Sequence, residues 1–325
     1  MQSPDFPDAG PSHPRRRFIA AALAASVVPA TRAADTETLR IGFQKSSTLM
    51  IFLKSRGTLE QALAPLKVRV TWHEFSSGLP LLEALNVGAI ELSADVADAV
   101  PPFALAAGAK LTYCAIETPS PQAQAIVVPK DSPVTSVAQL KGRKLAFAKG
   151  AGAHYMLLEA LGQAGLSIND IEPAYLSPAD ARAAFENGSV AAWVIWDPFL
   201  AAVQRQSGAR ILLDGGALSS YRRFYLAGTP YAQRRPDVLN AVFAELQRAG
   251  DWIKKNPGPA AEWHAPVIGL DAATVAAANL RRSYRVQAVD ADALAEQQRI
   301  ADAFTQAKVL PRRVVIAESP VWRPS

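Results

Sequence analysis

The chain has 325 residues, half of them hydrophobic and 19% charged, with a formal net charge of +5. That length suits two domains of ordinary globular composition rather than one small core. Past residue 33 no Lys/Arg cluster marks a nucleic-acid surface, and no stretch reaches the ~20 apolar residues that a spanning helix needs.

At the N-terminus, Arg15-Arg16-Arg17 precedes a short apolar run to Ala30 and a small-residue site at Thr31-Arg32-Ala33. This is the pattern of a signal peptide over residues 1–33. The adjacent arginines before Phe18-Ile19 fit the twin-arginine export route, with an ordinary Sec signal as the alternative. No cysteine follows the cleavage site, so the expected product is free in the periplasm and not lipid-anchored.

The mature part reads as alternating strand and helix. Strands are expected at 39–43, 68–75, 90–93 and 111–117, with an amphipathic helix to about Leu63 and further helices at 79–87 and 99–107. The lone cysteine, Cys114, lies in the fourth strand and reads as buried; it excludes an intrachain disulfide. A second unit begins near residue 123, with strands at 125–129, 144–147, 171–175, 191–195 and 209–213 and helices at 137–142, 154–164 and 177–185. Residues 221–227 return the chain to the first unit, and helical spacing recurs at 238–256, 272–284 and 291–307. The alternation implies parallel sheets covered by helices. The simplest architecture is two doubly wound α/β lobes, 34–122 plus 223–325 and 123–222, joined by a two-crossing hinge around a ligand cleft.

Three donor-rich turns fall at carboxyl ends of strands: Gln44-Lys45-Ser46-Ser47, Ser76-Ser77-Gly78 and the glycine-rich turn with Gly150 and Gly152. Backbone N–H groups and a helix start at such turns favour an anion, although each alone also reads as a tight connection or a cap. The third turn lacks the Gly-Lys-Ser/Thr of a P-loop. His154 reads either as an anion donor or as the first residue of a helix. Trp196, at a strand's mouth, reads either as a wall for a ligand's apolar body or as core. Asp197 reads as a turn anchor. His73, His154 and His264 lack metal-ligand spacing, and no Gly-x-Ser-x-Gly elbow supports a hydrolase.

Several segments are specific enough to name a resemblance. Residues 39–45, the run Phe75-Ser76-Ser77-Gly78-Leu79-Pro80 through Gly88, and above all Tyr175-Leu176-Ser177-Pro178-Ala179-Asp180 continuing to Trp196-Asp197-Pro198 resemble the aliphatic sulfonate-binding proteins of ABC transporters. The resemblance covers nearly the whole mature chain. It implies a type II periplasmic binding protein that closes on an alkanesulfonate for sulfur uptake. Its partner would be the transporter permease; it would be a monomer, not an enzyme, with no cofactor, metal or nucleic acid. Backbone N–H groups around Ser77, Gly78, Gly152, Ala153 and His154 would hold the sulfonate, with Gln44, Ser46 and Trp196 contacting the rest. Taurine, nitrate or another small organic anion is the alternative ligand. The sequence departs from the family at Ala151-Gly152-Ala153, where serines are usual. It departs again at 97–102, where a Gly-Asp-x-Pro-Pro run is lengthened by one residue.

Overall fold

The computed structural model describes residues 36–325; the export segment expected at 1–33 lies outside them. The first unit opens with β1 (Glu37–Phe43), α1 (Thr48–Arg56), α2 (Thr58–Leu63) and β2 (Val68–Glu74), followed by α3 (Gly78–Asn86), β3 (Leu92–Ala97), α4 (Pro101–Ala106) and β4 (Leu111–Glu117). β1 pairs in parallel with both β2 and β3. The single amphipathic helix expected to Leu63 is instead two helices, broken at Gly57, whose φ of 64° ends α1. α1 buries Thr48, Leu49, Met50, Ile51, Phe52 and Leu53 in succession, so it is covered all round rather than amphipathic. The third strand runs at Leu92–Ala97, not 90–93, and all of it is buried. The charge of Asp95 interrupts what is otherwise an apolar run.

The second unit holds β5 (Gln124–Val128), β6 (Lys144–Phe147), α5 (Gly152–Gln163), β7 (Glu172–Tyr175), α6 (Pro178–Glu186), β8 (Ala192–Trp196), α7 (Phe199–Ser207) and β9 (Arg210–Asp214). Its sheet has the order β7-β6-β8-β5-β9. The chain then returns as β10 (Arg223–Gly228) to the first sheet, whose far edge is β11 (Val286–Gln287) and whose order is β11-β4-β10-β3-β1-β2.

Neither sheet is purely parallel, contrary to the sequence expectation. β10 runs antiparallel to β3 and β4, and β5 antiparallel to β8 and β9. The reason is where the chain enters. Arg223 pairs with Glu117 at the end of β4, and Gln124 pairs with Trp196 at the end of β8. Each crossing therefore delivers the chain to the carboxyl ends of its new neighbours, and it must run back down the sheet. The two crossings lie side by side: Ser120 N–H donates to Ser220 O at 2.9 Å. A Cβ on Gly215 would stand 2.2 Å from the Pro121 carbonyl oxygen, an approach only glycine allows.

The remaining helices are α8 (Thr229–Arg234), α9 (Pro236–Lys255), α10 (Pro257–Ile268), α11 (Ala272–Arg281) and α12 (Ala291–Gln306). α9 packs on α1 and α2, whereas α11 reaches α7 and α12 reaches α4 and α5. α7, α8 and α10 were not expected. α10 carries Pro257 and Pro259 in its first turn, where proline removes only an N–H that has no helical partner, and Pro266 inside the helix. Cys114 is buried in β4, and burial pushes its thiol up to about 12.

Candidate functional site

Two helix starts meet at the carboxyl ends of the strands. α3 begins at Gly78 behind Ser77, and α5 begins at Gly152 behind Ala151; neither N-cap side chain accepts a hydrogen bond from its helix. The amides of Gly78, Leu79, Gly152 and Ala153 find no backbone carbonyl. They are the donors that every helix leaves free at its first turn. Gly78 and Gly152 face one narrow crevice, together with Gln44, Trp196, Tyr221 and Arg223. A Cβ on Gly78 would lie 3.0 Å from a Val100 methyl. One on Gly152 would lie 2.7 Å from the Tyr221 ring and 3.0 Å from the Ala97 methyl. Gln44 and Trp196 also border a wider chamber of about 330 Å³. Its walls include Phe75, Pro178 and Phe199, and exposed Lys45 and Glu74 stand on its rim.

Of the residues expected to touch ligand, Gln44, Gly78, Gly152 and Trp196 line the crevice and Ser46 lines the chamber. Gln44 is fixed by donating Nε2–H to Asp95 O at 3.1 Å. Trp196 is only 5% exposed and meets Phe199 edge-on with ring centroids 6.2 Å apart. Ser77 is half-buried at the α3 start, between Ser76 of the chamber and Gly78 of the crevice. Ala153 contributes its free N–H, and its methyl is fully buried.

His154 lies elsewhere. Its N–H donates to Ala151 O at 2.9 Å, and its ring packs against Phe147, Phe304 and Tyr175. Burial, with Lys149 nearby, pushes the imidazole down to about 4, so it is neutral and carries no charge to the crevice. Asp197 anchors the turn after β8 as expected, accepting from Ala201 N–H at 3.0 Å and pairing with Arg281 at 3.1 Å.

Sequence reasoning missed the charged layer beneath the crevice. Arg223 donates Nε–H to Asp95 Oδ2 at 2.8 Å, Nη1–H to Tyr221 Oη at 2.9 Å and Nη2–H to Ser46 Oγ at 3.2 Å. Arg282 donates to both Glu117 oxygens at 2.7 and 2.9 Å, to Asp95 Oδ2 at 3.3 Å and to Ser46 O at 3.0 Å. Tyr225 Oη–H donates to Glu117 at 2.9 Å. All these charged side chains are buried. Burial works against the Arg282 charge, yet Glu117, Tyr284 and Asp95 outweigh it and hold its pKa well above the ordinary arginine value. Two cations balance two carboxylates, so the layer is neutral as a whole while Arg223 faces the crevice. The available signal was charge inside apolar runs, since Asp95 and Arg223 occupy strands that otherwise read as core and a buried charge must be paired.

The family described as NMT1/THI5 like matches residues 83–260. The chain is 41% identical to an aliphatic sulfonates-binding protein of Escherichia coli (strain K12), with 94% of this chain and 95% of the relative covered. The chain belongs to the aliphatic sulfonate-binding protein family. Among solved structures, the alkanesulfonate-binding protein SsuA of Xanthomonas axonopodis pv. citri bound to MOPS is similar at TM-score 0.84 and 40% identity, covering 90% of this chain and 100% of that one. The periplasmic aliphatic sulphonate binding protein SsuA of Escherichia coli follows at TM-score 0.81 and 42% identity, covering 89% and 93%. The fold is thus that of a periplasmic binding protein. In this family member the α5 turn offers backbone donors alone, because Ala151 and Ala153 supply no hydroxyl. In the lengthened run after β3, Asp98 is buried and accepts from Arg222 N–H at 3.0 Å. Burial, reinforced by Glu296, pushes its carboxyl up to about 7.

Proposed function

We propose that this chain is a periplasmic solute-binding protein that captures an alkanesulfonate and hands it to the permease of an ABC importer. The observation that carries the reading is the pair of uncapped helix starts, at Gly78 and Gly152, facing one crevice across the two units. Two helix dipoles and their free N–H groups favour an anion there. Arg223 adds a cation that is already held in place, and Trp196 with Phe75 and Phe199 gives an alkyl tail an apolar wall.

On this reading the lobes are 34–122 plus 223–325 and 123–222, hinged at the crossings around Ser120 and Ser220. Binding needs no cofactor, leaves the ligand unchanged and is performed by a monomer. Export follows the twin-arginine route set by Arg15-Arg16-Arg17. Replacing these three by lysine is expected to leave precursor inside the cell, and an unchanged periplasmic yield would refute that route.

The test of function is a thermal-shift screen of small alkanesulfonates against taurine, nitrate and sulfate. A ligand at a hundred times its Kd adds about 2.7 kcal/mol to apparent stability. For a chain of this size that raises Tm by roughly 4–5 °C. A shift with nitrate or taurine and none with alkanesulfonates would transfer the site to those ligands, and chemical conversion of the bound sulfonate would reveal an enzyme.

A further inference from the structure

The turn that leads into α5 is held from two sides. Gly150 has a φ of 71°, and a Cβ there would lie 3.2 Å from the Phe103 ring. On the other side, Gly150 N–H donates to His154 Nδ1 at 3.2 Å, in a buried bond. A nitrogen that accepts carries no proton, so the ring hydrogen is on Nε2, which is buried without a partner. The ring is enclosed by Phe147 at 4.9 Å, Phe304 at 5.3 Å and Tyr175 at 6.0 Å between centroids. The residues that follow Gly150 are Ala151 and Gly152, which line the crevice.

We propose that His154 is a positioning residue, whose neutral imidazole holds Gly150 through Nδ1 so that the Gly152 and Ala153 amides point at the bound anion. This rests on the sulfonate reading above. The imidazole does not touch the ligand. It supplies the acceptor for a buried N–H that otherwise has none, and so fixes the turn in the one shape that presents the next two amides. The titratable groups facing the ring are Lys149 from the turn and Tyr175 from β7; α12 places Phe304 against the ring and α4 places Phe103 against Gly150, while Glu296 and Arg299 of α12 act on neighbouring Tyr155. Protonation at Nδ1 removes the acceptor, so acid is expected to release the turn.

The test compares butanesulfonate affinity for wild type, His154→Phe and His154→Asn. Phenylalanine keeps an aromatic ring and removes the acceptor; asparagine places Oδ1 where Nδ1 stood. The expected result is an affinity loss of about tenfold in His154→Phe, from one lost buried hydrogen bond. His154→Asn should stay near wild type. Lowering the pH from 7 towards 4 should weaken wild type more than His154→Asn. Folding of each variant is checked by its ligand-free melting temperature, and if His154→Phe does not fold, the pH comparison of wild type with His154→Asn decides. Wild-type affinity in folded His154→Phe, or identical pH profiles for wild type and His154→Asn, would overturn the proposal. No butanesulfonate binding by wild type itself would instead overturn the sulfonate reading.

Discussion

Gly152→Ala places one methyl group where α5 meets β3 across the cleft. Its Cβ would sit 2.7 Å from Tyr221 Cε2 and 3.0 Å from the Ala97 methyl, both tighter than carbon atoms pack. Tyr221 has little room to retreat, because Arg223 Nη1–H donates to its hydroxyl at 2.9 Å and its ring is almost fully buried. Ala97 belongs to β3 of the first sheet and Gly152 to the second unit, so the methyl acts as a wedge against the closed arrangement of the lobes. Overpacking of this kind costs about 1–3 kcal/mol. If the closed arrangement is the one that binds, that cost appears as a Kd raised roughly 5- to 150-fold. The open protein escapes the contact with Ala97 but keeps the one with Tyr221, which belongs to the same lobe, and alanine is the better helix former at the start of α5. Ligand-free stability should therefore fall by less than the binding free energy does. Calorimetric titration with butanesulfonate, paired with urea unfolding of ligand-free protein, separates the two. Unchanged affinity would refute the reasoning, and so would a loss matched by an equal loss of ligand-free stability.

Trp196→Ala should weaken long-chain sulfonates more than methanesulfonate, because each methylene laid on the ring is worth about 0.8 kcal/mol; equal losses at all chain lengths would make Trp196 a core residue only. Glu117→Gln leaves buried Arg282 facing a neutral partner and should cost about 3–5 kcal/mol in urea unfolding, whereas Glu117→Leu with Arg282→Met should cost clearly less than the sum of its single changes. Asp98→Asn tests the raised carboxyl. The folded protein binds its proton more tightly than the unfolded chain between about pH 4 and 7, so this group favours folding at low pH and opposes it as pH rises through 7. The asparagine variant should therefore exceed wild type by ~2–4 kcal/mol at pH 8, with the margin shrinking towards pH 4. A variant less stable than wild type at pH 8 would contradict the assignment.

Most elements were legible because their periodicity is local. β4, β6 and α6 fall within a residue or so of their expected limits. The turns at Gly78 and Gly152 were visible as glycine next to polar or small residues between a strand and a helix. What the sequence hid was set by distant partners. Asp95 disguised β3, since only Arg223 and Arg282, far along the chain, make its burial tolerable. The antiparallel direction of β5 and β10 depends on where each crossing enters its sheet, which no local pattern encodes. His154 was misplaced for a related reason. Its position at the start of α5 was readable, but the aromatic cage drawn from β6, β7 and α12 was not, and that cage turns the ring away from the crevice.

The most direct measurement is a calorimetric titration of the exported protein with butanesulfonate, with the ligand recovered and identified afterwards. The account predicts saturable binding of one sulfonate per chain and recovery of the ligand unchanged. Absence of saturable binding, while the protein is folded, would contradict it.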